Sequence, residues 1–463
     1  MRFMLAFVLL SLLSSSLPAS TILLHKIGHL EQRPDFCGEA CVEMYLRSLG
    51  YDISQDDVFG ASGLSPLLGR GCYTKELVKA VVNLGLLPGR CWYTISATKS
   101  QGELNKLFLE LLRDLKDGVP SIVCTRFDES PDTTEHFRLV IGYDKASDSI
   151  IYQDPALTNG HRLKMTRKRF FGLWPLHYSA LRWTVIRLAL RPKNISPPKK
   201  PTSHSMADYA QHMRKTKKLI PRGFHVVFQP PFIVIGNESP QMVQRRAKRT
   251  VKWATDKLKE AYFSRDPSSI INVWLFKDKR SYDHYTRTIF GDSPDTPFGY
   301  FSPSQNALVM NIATGGGTLV HEIVHPFVAS NFPNCPAWLN EGMGSLYEQC
   351  GEREGKIVGF TNWRLSGLQQ TIRQGSLDSF YELCHTTTPQ FYGLGSGTNY
   401  AQARYLCYYL QEKGLLRSYY HRFLRNKDKD PSGYETLKKV LEIKDIRQFD
   451  KQWQRYVLAL RFP

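Results

Sequence analysis

The sequence predicts an α+β protein that is divided into two domains. Its 463 residues, 42% of them hydrophobic, are enough for two or three ordinary cores. A strand-like segment, RWTVIRLAL, ends just before residues 191–222, where proline, serine and basic residues cluster. We therefore expect a first domain over residues 21–190, a basic linker over residues 191–222 and a second domain over residues 223–463.

The first twenty residues have the composition of a targeting segment. In MRFMLAFVLLSLLSSSLPAS, one arginine precedes an apolar run and small residues follow it. This order is typical of a secretory signal peptide, and the run is short for a membrane span. We expect cleavage near residues 19–20 and a secreted or periplasmic mature chain; an uncleaved anchor is the alternative.

Charge and cysteine content bear on partners and on the compartment. The formal net charge is +19, but no sequence signature of a nucleic-acid-binding fold accompanies it, so we expect no nucleic-acid partner. A solvated basic surface is the simpler interpretation, and weak electrostatic association with an anionic cell envelope is the alternative. Export permits disulfides among the nine cysteines, and Cys335 and Cys350 are one candidate pair.

A reactive thiol is predicted early in the first domain. Residues 32–50, QRPDFCGEACVEMYLRSLG, repeat apolar side chains at helical spacing, and Cys37 stands at the start of that helix. A helix N-terminus stabilises a thiolate, so we expect a depressed pKa at Cys37. Gln32 lies five residues upstream, where its amide can donate to an oxyanion. Cys41 lies one turn further along, where a core or disulfide role is expected.

Two further residues complete a pattern. The segment EHFRLVIGYD predicts a strand that starts at His136, and SIIYQDP predicts a strand that ends at Asp154. The order of glutamine, Cys-Gly-x-Ala, histidine before a hydrophobic strand with Gly-Tyr, and Asp-Pro resembles the papain-like cysteine peptidases. It is most similar to the Cys-His-Asp domain of bacteriocin-processing, double-glycine leader peptidases.

This resemblance implies a papain-like fold and a role for each of four residues. Cys37 would be the nucleophile, His136 the general base, Asp154 the residue that orients the imidazole, and Gln32 part of the oxyanion hole. A papain-like domain that binds substrate without cleaving it is the alternative.

The second domain begins with predicted strands and ends with predicted helices. HVVFQPPFIVIG is rich in β-branched and aromatic residues, and INVWLF and NALVMNI are interpreted as alternating strands. A helix is expected between the first two segments, from about Ser239 to Tyr262. We expect NALVMNI to be an edge strand that lines a cleft, where its unpaired backbone groups can bind an extended peptide.

A metal site is predicted where the helical part begins. Residues 315–348, GGGTLVHEIVHPFVASNFPNCPAWLNEGMGSLYE, contain His321-Glu322-x-x-His325. Residues four apart share one face of a helix, so both imidazoles can bind one ion. Catalytic Zn²⁺ takes three protein ligands and one open position, and Glu341 is the natural third ligand. Glu322 is then placed to accept a proton from the metal-activated water.

HEIVH, WLNEG and Glu348 together resemble the gluzincin metallopeptidases, most closely the aminopeptidase N group and small bacterial peptidase MA-like domains. The resemblance implies a gluzincin fold, zinc ligands at His321, His325 and Glu341, and Glu322 as general base. The later segment YAQARYL is similar to the helix that carries the catalytic tyrosine of these families, so Tyr400 would donate a hydrogen bond to the oxyanion. Pro326 follows the second histidine and is expected to kink the metal helix.

Together these patterns predict an exported peptidase that acts on peptides or proteins through a zinc site and a Cys-His-Asp thiol site. Two alternatives stay open. One is a metallopeptidase whose papain-like domain only binds substrate. The other is a non-catalytic envelope-binding protein with a structural zinc, which would need a fourth protein ligand.

Overall fold

The computed structural model describes residues 21–201, 203–294, 296–443 and 445–462. The predicted signal peptide, residues 1–20, lies outside them. The chain divides into a first compact unit that extends to residue 201 and includes Ser205–Arg214, and a second unit that continues from Lys215. None of the described helices is both long and apolar enough to cross a membrane.

The first unit is mixed α/β. Its strands are β1 (Ile22–Leu23), β2 (Leu86–Leu87), β3 (Trp92–Ser96), β4 (Ser121–Arg126), β5 (Glu135–Asp144), β6 (Ser149–Gln153), β7 (Leu163–Thr166), β8 (Arg182–Ala189) and β9 (Arg191–Pro192). Its helices are α1 (Cys37–Ser48), α2 (Gln55–Ser62), α3 (Thr74–Asn83), α4 (Ser100–Lys116) and α5 (Arg167–Leu173), and α6 (Met206–Thr216) begins within it.

An antiparallel sheet forms the centre of this unit. The strand order is β3-β8-β4-β5-β6-β7, and β1 pairs with β5. One face packs against α1 and α3, and the other against α4 and α5, which is why β4 to β6 are buried almost throughout. A Cβ at Gly38 would lie 2.7 Å from Leu77 and 3.2 Å from Phe137. The glycine after Cys37 therefore lets the start of α1 approach the strand that carries His136.

The segment expected to be a linker, residues 191–222, is partly regular. Arg191–Pro192 pairs with β2. Met206–Thr216 forms the helix α6, and its Ala207 and Ala210 are buried in the core of the first unit.

The second unit begins with a sheet and continues mainly as helices. Its strands are β10 (His225–Gln229), β11 (Phe232–Gly236), β12 (Ile271–Phe276), β13 (Gly299–Ser302), β14 (Ala307–Asn311), β15 (Cys350–Arg353) and β16 (Lys356–Gly359). Its helices are α7 (Pro240–Arg246), α8 (Trp253–Ala261), α9 (Lys279–Tyr285), α10 (Gly317–Asn331), α11 (Ala337–Leu346), α12 (Arg364–Gln374), α13 (Phe380–His385), α14 (Thr388–Phe391), α15 (Ser396–Glu412), α16 (Leu416–Asn426), α17 (Tyr434–Leu441) and α18 (Ile446–Ala459). A π-helical stretch, Ala247–Lys252, joins α7 to α8, so the predicted helix over this region is continuous.

The expected edge strand is not at the edge. The sheet order is β10-β11-β12-β14-β13, so NALVMNI forms the interior strand β14, paired in parallel with β12 and antiparallel with β13. All five residues of β14 are buried, in keeping with the apolar side chains that precede Asn311. The edge on this side of the sheet belongs to β13, whose four residues, GYFS, are too few to show a strand period in the sequence.

Three helices hold the region around the HExxH motif. Helix α10 packs on β13 and β14 and against α11, and α11 packs against α15. A Cβ at Gly342 would lie 3.0 Å from the Ala403 carbonyl and 3.0 Å from Cys407 Sγ, so this glycine lets α11 and α15 approach closely.

Helix α10 continues through Pro326 to Asn331, where the proline removes one hydrogen bond, to the carbonyl four residues earlier; the expected kink stays a prediction. One further expectation about this region needs correction. All nine cysteines are free thiols, so Cys335 and Cys350 form no disulfide. The ten-residue helix α11, about 15 Å long at 1.5 Å per residue, lies between them in the chain.

Candidate active sites

Cys37 is the first residue of α1, as the sequence predicts, but its pKa is not depressed. Burial is the largest influence and raises the pKa of the thiol to about 12. Hydrogen bonds to the backbone at Phe137 and Gly38 act in the opposite direction, and the carboxylate of Glu39 raises the pKa further. The expectation of a depressed pKa is therefore wrong, because desolvation outweighs the favourable dipole of the helix N-terminus.

His136 and Asp154 form a buried pair. His136 Nε2 lies 2.7 Å from Asp154 Oδ1, and the Ala156 backbone N–H donates to the same oxygen at 3.1 Å. Burial acts to raise the pKa of Asp154, but the hydrogen bond from His136 and the charges of His136 and Arg138 hold it below its usual value. An ionised carboxylate accepts from Nε2, so Nδ1 is the imidazole nitrogen that can act as a base.

Arg138 belongs to this site and was missed by sequence reasoning. Its Nε donates to Asp154 Oδ2 at 2.9 Å, and its other nitrogens donate to Thr125 Oγ1 and the Phe127 carbonyl at 2.5 and 2.8 Å. It follows His136 by two residues on β5, so both side chains lie on one face of the strand. That alternation is the one signal by which the sequence could have revealed it.

Gln32, Cys37 and His136 line one cavity of about 990 Å³. The backbone N–H of Gln32 donates to the Pro155 carbonyl at 2.9 Å, which fixes the glutamine beside the strand end that carries Asp154. Its side-chain Oε1 is buried and has no hydrogen-bond partner among the described residues. The structure thus brings together the four predicted residues, with Asp154 behind His136.

Cys41 does not face this cavity. It is fully buried, and its Sγ lies 3.8 Å from the Phe137 carbonyl. Burial raises the pKa of its thiol well above the usual value, in keeping with the core role expected for it.

In the second unit, His321, His325 and Glu341 converge. Their candidate ligand atoms all lie within 4.8 Å of one another, and Glu341 Oε2 lies 3.2 Å from His321 Nε2 and 3.7 Å from His325 Nε2. This oxygen is buried and accepts no hydrogen bond from the described residues. A Cβ at Gly344 would lie 3.2 Å from both imidazoles, so the glycine leaves room for the rings. A buried, unsatisfied carboxylate oxygen between two imidazole nitrogens fits a divalent metal ion.

Both imidazoles are oriented through their Nδ1 atoms. His325 Nδ1 lies 3.0 Å from Asn340 Oδ1. His321 Nδ1 lies 3.2 Å from Glu348 Oε1, an ion-pair contact without good hydrogen-bond alignment. Arg364 in turn donates to both oxygens of Glu348 at 2.8 and 3.0 Å. These contacts orient both rings so that their Nε2 atoms face Glu341. In metal sites, a hydrogen-bond partner at the other ring nitrogen commonly orients a histidine ligand in this way.

The carboxylates next to His321 carry negative charge that a bound cation would balance. Burial alone would lower the pKa of His321, but the carboxylates of Glu341 and Glu348 at its two nitrogens raise it to about 10. Burial acts to raise the pKa of Glu341 and of Glu348, and their contacts with His321 and other hydrogen-bonding groups lower each to about 2. The cluster therefore stabilises positive charge at the imidazole nitrogens.

Glu322 follows His321 on α10 and lies near the cluster. Its charge contributes to the raised pKa values of His321 and Tyr392. No hydrogen bond or ion pair to its carboxylate is found within the described residues. A carboxylate with no fixed partner next to a metal site is available to exchange a proton with water.

Two tyrosines, rather than one, approach Glu341. The hydroxyl of Tyr392, just after α14, donates to Glu341 Oε1 at 2.5 Å. Tyr400 is on α15, with its ring 6.1 Å from that of Tyr392 and beneath the Arg364 guanidinium at 5.2 Å. Burial and the charge of Glu341 raise the pKa of Tyr400. The predicted tyrosine therefore lies at the site, and Tyr392, which no sequence motif marks, lies there too.

Comparison with known proteins bears on the first unit. The profile of the Peptidase_C39 like family matches residues 24–180. Among solved structures, the peptidase domain of Streptococcus ComA, described as a bi-functional ABC transporter involved in a quorum sensing pathway, is 18% identical, with 36% of this chain and 99% of that chain covered and a TM-score of 0.24. No curated protein matches the chain. The family match supports a Peptidase_C39-like cysteine-peptidase domain within the first unit, and the gluzincin resemblance of the second unit stays a prediction.

Proposed function

We propose that the chain is an exported peptidase with two hydrolytic sites, a Cys37–His136–Asp154 thiol site and a zinc site at His321, His325 and Glu341. The observation that carries the proposal is the shared cavity of Gln32, Cys37 and His136 within a Peptidase_C39-like domain. The second site is supported by the unsatisfied Glu341 oxygen between two imidazoles. The substrates are peptides or proteins.

At the thiol site, the raised pKa of Cys37 requires general-base catalysis. His136 removes the thiol proton as Sγ attacks the peptide carbonyl, because a neutral thiol is a poor nucleophile. Asp154 stabilises the imidazolium that forms, and the Gln32 amide donates to the oxyanion. The imidazolium then gives its proton to the leaving amine, and water hydrolyses the acyl-enzyme.

At the second site, His321, His325 and Glu341 would hold a zinc ion, which would act as a Lewis acid toward water and the substrate carbonyl. Glu322 takes the proton from the attacking water and passes it to the leaving amine. Tyr400 donates a hydrogen bond to the developing oxyanion, while Tyr392 holds Glu341. The edge strand β13, rather than β14, offers unpaired backbone groups to an extended peptide.

Export is proposed from the amino-terminal segment MRFMLAFVLLSLLSSSLPAS. A basic chain with a net charge of +19 would associate weakly with anionic envelope polymers, and this association would weaken as salt screens it. Fractionation of cells that produce the full chain tests this proposal, because a protein retained whole in the cytoplasm would contradict it.

One observation favours a second candidate function, in which the first unit binds peptides without cleaving them. A thiol whose pKa is about 12 is almost entirely protonated at neutral pH. If His136 cannot remove that proton, the cavity is a binding site and the zinc site is the single catalyst.

Metal analysis combined with active-site labelling of the purified mature chain tests the proposal. We expect one zinc per chain, retained in Glu322→Gln and lost in Glu341→Ala, and one thiol that reacts with a peptidyl chloromethyl ketone. A metal-free chain would contradict the second site. A chain in which Cys37 resists the reagent would favour the binding function.

A further inference from the structure

Exposed aromatic side chains form the wall of the cavity around Cys37. Three of the aromatic side chains that line it are exposed: Tyr73 just before α3, Trp92 at the start of β3, and Tyr178 before β8. Their exposed fractions are 65%, 43% and 62%, and they are the three most exposed phenylalanine, tyrosine or tryptophan side chains in the described part of the first unit. Exposed aromatic surface gathered around one concave site indicates a binding surface.

Two of these rings are held in place without a ligand. The Arg70 guanidinium lies over the Tyr73 ring at 3.7 Å and also pairs with Glu76 at 3.1 Å. The Tyr178 hydroxyl donates to Glu135 Oε1 at 2.5 Å. Side chains fixed before binding lose little conformational entropy when a substrate arrives. The wall is therefore preorganised for contact with an apolar group.

Charge contributes little to selection in this cavity. Asp35 pairs with Arg214 at 2.8 Å, and Arg70 and Glu135 have the partners given above. Of the charged side chains that line the wall, this leaves Lys75 and Glu135 without an oppositely charged partner, and both are exposed to solvent. Paired and solvated charges discriminate weakly between substrates.

We propose that the Cys37 cavity selects peptides with an aromatic side chain next to the scissile bond and disfavours a pair of glycines there. This inference rests on the proposed thiol-peptidase function. An aromatic side chain can pack edge-to-face or offset-stacked against the three rings, whereas glycine buries no side-chain surface. A cavity of about 990 Å³ also has room for such a side chain.

The test uses the full chain in a Glu322→Gln background, so that any cleavage comes from the thiol site. Two fluorogenic peptide series of matched length carry either phenylalanine or Gly-Gly on each side of the scissile bond. We expect kcat/KM to favour phenylalanine by at least about tenfold, as filling an apolar pocket typically does. Trp92→Ala and Tyr73→Ala should each reduce that preference, whereas Leu109→Ala, an exposed position on α4 that does not line the cavity, should not.

If the Gly-Gly peptides are cleaved as fast as the phenylalanine peptides or faster, and Cys37→Ala abolishes this cleavage, the inference is overturned. The proposed thiol-peptidase function would then still be supported. If no peptide is cleaved, the labelling rates of Cys37 with phenylalanyl and glycyl chloromethyl ketones decide. Faster phenylalanyl labelling that depends on Trp92 supports the aromatic selection and limits the unit to binding. Equal rates overturn it.

Discussion

The hydroxyl of Tyr392 donates a 2.5 Å hydrogen bond to Oε1 of Glu341, the oxygen opposite the one that faces His321 and His325. The candidate third ligand is thus held from behind by a residue 51 positions away in the chain.

From this contact, Tyr392→Phe is expected to weaken zinc binding by about 10-fold or more, because partners that orient a ligand typically contribute 10–100-fold in affinity. Competition with a chromogenic chelator measures the change. Tyr381→Phe, an exposed tyrosine on α13, is the matched control and should bind zinc normally. Unchanged zinc affinity in Tyr392→Phe would show that the hydrogen bond does not position Glu341.

Tyr400→Phe should behave differently. Loss of a donor to the oxyanion lowers kcat by about 10²-fold with little change in KM, the signature of a contact made in the transition state. Steady-state kinetics of zinc-dependent cleavage, with zinc content verified, provide the measurement. If Tyr392→Phe lowers kcat and Tyr400→Phe does not, the two roles are reversed.

Glu348→Gln tests the support of His321. The carboxylate lies at His321 Nδ1 and is held by Arg364; the amide keeps the shape but loses the charge, so zinc affinity should fall by about 10–100-fold. Glu352→Gln, an exposed carboxylate on β15, is the control. Equal affinities in the two variants would contradict a supporting role for Glu348.

Arg138→Met should destabilise the first unit and shift its pH dependence. Breaking a buried ion pair costs about 3–5 kcal/mol. Because Arg138 helps to lower the pKa of Asp154, that carboxylate stabilises the folded state above its unfolded pKa and loses this contribution as pH falls through its folded value. In the variant, the acid loss of thiol-dependent activity should begin at higher pH. If the activity of the variant and that of the wild type fall at the same acidic pH, Arg138 contributes to folding only.

The raised pKa of Cys37 predicts slow reaction with iodoacetamide at pH 8 relative to the unfolded chain, and a rate that increases as pH rises toward about 12. His136→Ala should slow the reaction further, since the base that removes the proton is lost. Mass-spectrometric labelling of the intact chain gives the rate at each cysteine. Rapid labelling of Cys37 at pH 5–6 would contradict the raised pKa and indicate a preformed thiolate.

Local spacing made much of both sites predictable. His321 and His325 share a helix face by their separation alone, and Cys37 begins a helix because the apolar repeat begins there. Contacts between distant segments were not predictable. Tyr392 reaches Glu341 only through the packing of α14 beside α11, and no pattern marks it.

The remaining wrong predictions arose because the sequence does not show how deeply a residue is buried. The sequence places Cys37 at a helix N-terminus but does not reveal how strongly the folded chain desolvates its thiol, so the predicted direction of its pKa shift was wrong. Likewise, the sequence predicted NALVMNI as an edge strand, but Ala307–Asn311 is buried on both faces and lies in the interior of the sheet. Gly299–Ser302, the true edge, is too short to be read as a strand.

The most direct test of two independent sites is the cleavage rate of one protein substrate by wild-type, Cys37→Ala, Glu322→Gln and doubly substituted full-length chains, each loaded with zinc. The sites share no residue, so we expect each single variant to retain one activity, with the two residual rates adding up to the wild-type rate and the double variant inactive. A Glu322→Gln chain without residual thiol-dependent cleavage, or a double variant as active as wild type, would contradict this account.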